Sequence, residues 1–253
     1  MKAIIMAAGY ATRLYPLTIN KPKALLEVGK QTVLDYIIDE VETIAAVNEI
    51  FIVSNHKFAK HFTNWNQERK SKKNIKIIDD GTISDETKLG AIGDIRLVLE
   101  KENINEDVLV IAGDNLFTFK LIDFYNFYLK IGKDCILVQE KENIDELKAM
   151  GVVCLNKENK VLDFQEKSSN PISNVAVYAS YIYMKNTLPL ILQYLNEKNN
   201  PDSPGYFPAW LYDKKDIYAY RFCGECYDIG THKSYEKVKI KYDNDENAKM
   251  SIC

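Results

Sequence analysis

The chain of 253 residues has no long apolar run, no excess of one charge, five cysteines and three histidines. Each shortage excludes a class of protein. No stretch approaches the ~18 consecutive apolar residues of a membrane helix, so no membrane partner is expected. Lys+Arg 33 against Asp+Glu 36 leave a net charge of -3, which excludes a broad basic face for nucleic acid but not a local cationic pocket. The densest basic cluster, Arg69 to Lys73 (RKSKK), follows a helical pattern and reads as a solvated helix end. Five cysteines do not make a disulfide framework in a chain of this size. Cys223-Gly224-Glu225-Cys226 is a lone C-x-x-C pair. A structural zinc site needs four ligands, no second cysteine pair exists, and His56, His61 and His232 do not complete a set. Lys2 and a short apolar run broken by Gly9 and Arg13 do not read as a signal peptide, so a cytoplasmic location is expected. Linkers, repeats and low-complexity stretches are also missing, which favours a single domain over 1–253.

What is there alternates. Lys2 to Ala8 (KAIIMAA) is an apolar run closed by a glycine, the pattern of a buried strand in a parallel sheet. Helical spacing follows over 31–46, then strand EIFIVS at 49–54, a helix through Arg69 and a short strand at 76–79. Further helices are expected over 89–100 and 121–131, with strands at 107–112 and 135–139. Such βα alternation predicts an α/β, doubly wound, mostly parallel sheet, with a nucleotide-type half over about 1–140. The second half, about 141–231, is β-rich: a hairpin at 151–155 and 161–166, an aromatic strand at 176–184, and a strand at 217–222. A helix over 188–196 and a last helix near 231–243 complete the pattern, and 199–205 reads as a surface loop.

The chemistry concentrates after strands. Ala7 to Val28 is a long loop stiffened by Pro16 and Pro22, and it leaves the C-terminal end of the first strand, where α/β sheets bind ligands. Gly9 would let backbone N–H groups approach an anion. Arg13 offers two N–H donors to a phosphate and Lys23 a point charge; each alone would read as a solvated cation. Asp114, in Gly113-Asp114-Asn115, follows an apolar strand and is placed either to hold Mg2+ with phosphate oxygens or to form an Asx turn. Asp228, in Tyr227-Asp228-Ile229-Gly230-Thr231, precedes a helix and so competes with a capping role. Glu166 and Lys167 close strand VLDFQE; they suit a sugar phosphate, or form a surface ion pair. Tyr178, Tyr181 and Tyr183 read as sheet residues first.

In order, these residues resemble the sugar-1-phosphate nucleotidylyltransferases, a family that includes glucose-1-phosphate thymidylyltransferases and UTP–glucose-1-phosphate uridylyltransferases. Gly9-Tyr10-Ala11-Thr12-Arg13-Leu14 resembles its G-x-G-T-R-L, and Pro16-Leu17-Thr18 with Pro22-Lys23 its P-L-T and P-K. Gly113-Asp114-Asn115, Gly151-Val152-Val153, Glu166-Lys167-Ser168 and Asp228 to Thr231 resemble its G-D-N, G-V-V, E-K-P and D-[IT]-G-T. The matches run from the N-terminus to about residue 231. The resemblance implies the nucleotide-diphospho-sugar transferase fold and the catalytic cations Arg13 and Lys23. It implies nucleotide contacts from Ala8, Gly9, Thr12 and Gly90, and acceptor contacts from Gly151, Glu166 and Lys167. It implies Mg2+ on Asp114 and Asp228, with dTTP or UTP favoured and CTP allowed. Its partners would be small molecules, an NTP and a phosphorylated acceptor, and a homo-oligomer is left open. Four departures stand out. Ala11 replaces a glycine, so positive φ there would be strained; Ser168 replaces a proline; Cys226 replaces a tryptophan. Asp79 to Gly90 lacks the glutamine-and-proline pattern of typical thymidylyltransferases, which leaves the base and the acceptor open.

Two like unit charges about 4 Å apart at an effective dielectric near 20 repel by ~4 kcal/mol, so joining a sugar phosphate to an NTP needs compensating cationic charge. Three rivals stand beside that reading: a non-sugar acceptor such as phosphocholine, a non-catalytic regulatory subunit on the same fold, and a Rossmann oxidoreductase. The last wants G-x-G-x-x-G opening a helix directly after the first strand, where this chain has Pro16 and Pro22.

Overall fold

The computed structural model describes residues 1–244 and divides into two compact units. The part of the expected 1–253 domain beyond residue 244 lies outside the described residues. The first unit takes Met1–Lys88, Ile111–Ile122 and the chain from Cys223 onward; the second takes Leu89–Val110 and Asp123–Phe222.

In the first unit, strand Lys2–Met6 runs parallel to Glu49–Ser54, which runs parallel to Asn74–Asp79. The first two carry apolar residues on both faces, and Ala3, Ile4, Ile5, Ile50, Ile52 and Val53 are fully buried. Such runs suit a sheet covered on both sides. The first strand ends at Met6, two residues before the expected end at Ala8. Helix Val33–Glu42 begins with a capping box, in which Asp35 N–H donates to Thr32 Oγ1 (3.2 Å) and Thr32 N–H to Asp35 Oδ2 (2.9 Å). Helix His56–Glu68 starts at Asn55, whose Oδ1 accepts from Phe58 N–H at 3.1 Å. A short antiparallel ribbon pairs Asn115–Phe117 with Cys226–Asp228, in the register Asp228 to Asn115.

The second unit carries the mixed pairing. Strand Val175–Tyr183 is antiparallel to Asp134–Glu140 and to Gly151–Leu155. Val161–Glu166 is antiparallel to Gly151–Leu155, and Ile217–Arg221 is parallel to Asp134–Glu140. Its helices include Ala91–Lys101, Leu188–Asn196 and Tyr206–Leu211. Asp134 is buried with all its bonds made: it accepts from Met184 N–H at 2.7 Å and Thr187 Oγ1 at 2.7 Å, and pairs with Lys215 at 3.2 Å. The 199–205 loop differs from a plain surface loop, because Ser203 and Gly205 are buried.

Candidate functional site

The loop after the first strand is fixed by its backbone more than by its charges. Ala7 N–H donates to Val53 O at 2.9 Å, extending the strand pairing by one bond. Asn55, fully buried, donates from Nδ2 to Ala8 O at 2.8 Å, so one side chain starts a helix and pins the loop. Tyr10 is buried and its hydroxyl meets Thr82 Oγ1 at 3.1 Å. Ala11 sits in the left-handed region, φ 49° and ψ 41°, as the departure from glycine made a concern. Its carbonyl accepts from Thr18 Oγ1 at 2.8 Å and from Leu14 N–H at 3.0 Å, and those two bonds hold the conformation. Leu14 anchors the turn in the core, while Thr12 and Arg13 point outward, exposed. At Gly9 a methyl group would meet nothing within 4 Å.

Lys23 opens a single 3-10 turn, Lys23–Leu25, behind an extended Pro22, and buried Ala24 and Leu25 seat that turn. Its ammonium pairs with Asp114. Asp114 arrives there because Gly113 comes so close to the first strand that a methyl would stand 3.0 Å from Met6 O, and Gly113 N–H donates to that oxygen at 2.9 Å. The ribbon then brings Asp228 alongside: Ile229 N–H donates to Asp114 O at 3.2 Å. Asp228 is reached by solvent yet has protein around most of its carboxylate. That desolvation, with Asp114 as the second cause, holds it above the usual carboxylate range; Lys23 and Arg13 act the other way. The competing capping role falls instead to Thr231, whose Oγ1 accepts from Ser234 N–H at 3.1 Å at the start of helix His232–Asn244. Asp114 likewise spends its carboxylate on Lys23 rather than on an Asx turn.

No group of three or more His, Cys, Asp or Glu residues gathers among the described residues to hold a metal by itself. A pair in which burial first and the neighbouring Asp114 second hold Asp228 high suits Mg2+, which takes one or two protein carboxylates and keeps waters or phosphate oxygens for the rest. The same pair does not suit zinc, which wants four soft or imidazole ligands in a structural site. Cys223 and Cys226 are both free thiols.

The second unit assembles the remaining residues. Glu166 Oε1 accepts from Ser203 Oγ at 2.7 Å. Burial pushes its carboxyl up, against the pull of Ser203 and Lys167. Gly151 stands beside it, where a methyl would lie 2.7 Å from Glu166 Oε2. Lys167 is exposed, at φ 52°, with its N–H held by Met150 O at 3.0 Å and its ammonium 6.0 Å from the Tyr206 ring centroid. Gly90 has φ 77° and precedes helix Ala91–Lys101. The first unit thus gathers Ala8, Gly9, Thr12, Arg13, Lys23, Asp114 and Asp228, and the second gathers Gly90, Gly151, Glu166 and Lys167. Sequence reasoning missed Asn55 and Ser203, and placed Thr18 in its motif without its contact to Ala11. Asn55 had a signal, an Asn between a strand and a helical pattern. The other two act through contacts that no local pattern encodes.

The fold and these clusters define an α/β protein that sets cations beside carboxylates where its strands end. The family model described as "Nucleotidyl transferase" matches residues 2–245, and the chain belongs to that family of nucleotidyl-transferring enzymes, as its motifs resembled. It is 32% identical over 192 residues to the bifunctional protein GlmU of Methanocaldococcus jannaschii, covering 76% of this chain and 42% of that protein. It is 28% identical over 256 residues to the glucose-1-phosphate adenylyltransferase of Thermotoga neapolitana, covering 94% and 60%. The chain therefore spans 42% and 60% of the length of these curated relatives. A solved UDP-glucose pyrophosphorylase complexed with UDP-glucose superposes with a TM-score of 0.80 at 23% identity, over 95% of this chain and 97% of that one. The expected fold class, α/β with a largely parallel central sheet, holds. Among the described residues no helix is long and apolar enough to cross a membrane.

Proposed function

We propose that the protein transfers a nucleotidyl group from an NTP to a sugar 1-phosphate, releasing pyrophosphate, with Mg2+ as its cofactor. The observation that carries this reading is the cluster of Lys23, Asp114 and Asp228, with Arg13 acting on Asp228, beside a loop left open at Gly9. Arg13 and Lys23 bind the NTP phosphates, and backbone groups of Ala8 and Gly9 with Thr12 contact the nucleotide. Asp114 and Asp228 would hold Mg2+, which supplies positive charge to the phosphate oxygens when bound. Glu166 accepts hydrogen bonds from the acceptor, Lys167 meets its phosphate, and Gly151 forms the pocket wall.

The second pKa of a phosphate monoester is ~6, so the acceptor oxygen is mostly ionised at neutral pH and no general base is required. That oxygen forms a bond to the α-phosphorus as the bond from the α-phosphorus to the β-bridging oxygen breaks, and pyrophosphate leaves with the electron pair. Rate enhancement comes from alignment of two anions and from cations already in place. In this reading dTTP and UTP head the list of donors. One curated relative is named an adenylyltransferase, so ATP, GTP and CTP belong in the same assay. A cytoplasmic location goes with the reading.

The test crosses these five NTPs against glucose 1-phosphate, mannose 1-phosphate and phosphocholine and reads pyrophosphate release. Turnover with a sugar 1-phosphate supports the proposal, and turnover with phosphocholine alone replaces the acceptor. Lys23→Ala and Asp114→Asn are expected to lose at least ~100-fold in kcat/KM, the scale seen when one preorganised electrostatic group is removed. Near-normal turnover in either would remove that residue from the site.

A further inference from the structure

The segment from Pro201 to Gly205 lies between helices Leu188–Asn196 and Tyr206–Leu211 and has the composition of an exposed turn. Two of its residues are nonetheless withdrawn from solvent, Ser203 and Gly205. The Ser203 hydroxyl donates to Glu166 Oε1 at 2.7 Å. A methyl at Gly205 would stand 2.0 Å from Glu166 Oε2, and one at Gly151 2.7 Å from the same atom. A Cβ at either position would push the carboxylate aside, so two glycines form the wall on which it rests in this position. Glu166 Oε2 itself accepts no hydrogen bond among the described residues. At its other end the segment reaches the turn at Gly90. Pro201 O accepts from Ile92 N–H at 3.0 Å and Asp202 O from Ala91 N–H at 3.2 Å. These bonds satisfy N–H groups that the start of helix Ala91–Lys101 leaves without intrahelical partners. A methyl at Gly90 would lie 2.5 Å from Pro201 O.

We propose that segment 201–205 is a positioning strap for the phosphorylated-acceptor site. Ser203 occupies one oxygen of Glu166 and thereby presents the other to hydroxyl groups of the acceptor, while the hold on the Gly90 turn fixes where Ser203 stands. The inference rests on the reading of Glu166 as acceptor-binding. Ser203 is a positioning residue: it acts through Glu166. The charged and titratable groups facing Glu166 are Lys167, Tyr181 and Tyr194. With the serine hydroxyl gone, Lys167 remains as the main influence against burial, so the carboxyl rises further and its oxygens lose their fixed orientation.

Whole-chain Ser203→Ala and Ser203→Thr test this. For glucose 1-phosphate in the pyrophosphate-release assay, Ser203→Ala is expected to raise KM by ~10-fold, the effect of losing one hydrogen bond to a charged group, with the NTP KM unchanged. Ser203→Thr, which keeps the hydroxyl, should restore it. The acid limb of the kcat/KM profile should move to higher pH in Ser203→Ala only. Independently of turnover, carbon NMR of labelled glutamate, assigned with Glu166→Gln, should show Glu166 titrating at higher pH in Ser203→Ala. An unchanged acceptor KM, or an unchanged Glu166 titration, overturns the strap. If no acceptor turns over at all, the functional reading fails instead, and the NMR titration still decides whether Ser203 sets the state of Glu166. Gly90→Ala should raise the glucose 1-phosphate KM as well; an effect confined to the NTP would overturn the hold at Gly90.

Discussion

Gly9 and Ala11 stand two positions apart and place opposite demands on the backbone. The fold gives no reason for glycine at position 9, since a methyl there meets nothing within 4 Å. Under the proposed function the reason is the close approach of a nucleotide. Gly9→Ala should therefore keep its stability within ~0.5 kcal/mol, as harmless surface substitutions do, and raise the NTP KM severalfold. Paired urea melts and kinetics check it, and an unchanged KM would leave the glycine without a role. Ala11, by contrast, holds a left-handed conformation that costs an L-residue ~1 kcal/mol. Ala11→Gly relieves this while adding unfolded-state freedom, so a net gain of ~0.5 kcal/mol is expected from the urea midpoint. Here the sequence was readable in both directions: the motif located the turn, and the departure from it located the strain. Asp228 was not. Its position before Ile229-Gly230-Thr231 fits a cap as well as a ligand, and only the pairing of residues 226–228 with 115–117 sets it beside Asp114.

Elements show where local patterns suffice. The helix Val33–Glu42 follows from its spacing and its capping box, but what locks it to helix His56–Glu68 does not. Asp35 accepts from Trp65 Nε1–H at 3.1 Å and from Arg69 at 2.5 Å besides its bond to Thr32. Burial pushes the Asp35 carboxyl up, but Thr32 and Arg69 together hold it below the usual range. A lowered folded pKa means the stabilisation is fully present above the ordinary carboxylate pKa of ~3.9 and is lost as pH falls through the folded value. Asp35→Ala should cost at least ~2 kcal/mol at neutral pH, combining a lost cap with a broken ion pair, and the deficit should shrink in melts at low pH. A deficit that stays constant with pH would assign the effect to packing. Short elements escaped for a different reason. Ile144–Lys148 and Tyr206–Leu211 are too brief for periodicity to register, and the three-residue ribbon strands exist only through a partner distant in sequence.

At the scale of the whole molecule, the alternation of apolar runs and helical spacings made the fold class legible, because each buried strand must be apolar whatever it pairs with. The grouping into two units was not legible, since it follows contacts rather than chain order. Ligand binding gives the whole-molecule prediction. An NTP at 100 times its Kd should add ~2.7 kcal/mol to stability. The shift in Tm should require Mg2+, vanish in chelator and be absent from Asp114→Asn. A shift that survives chelation would place the nucleotide elsewhere.

The ribbon that joins Asp228 to Asp114 also sets a time. On a translating ribosome the first carboxylate emerges early, and the second follows only after the entire second unit has been made. At ~5–20 residues per second that interval lasts several seconds or more. Throughout it, the nascent chain holds Lys23 and Asp114 but not yet the second carboxylate. Under the proposed function, an unfinished chain would be chemically silent until residue 228 has joined the fold.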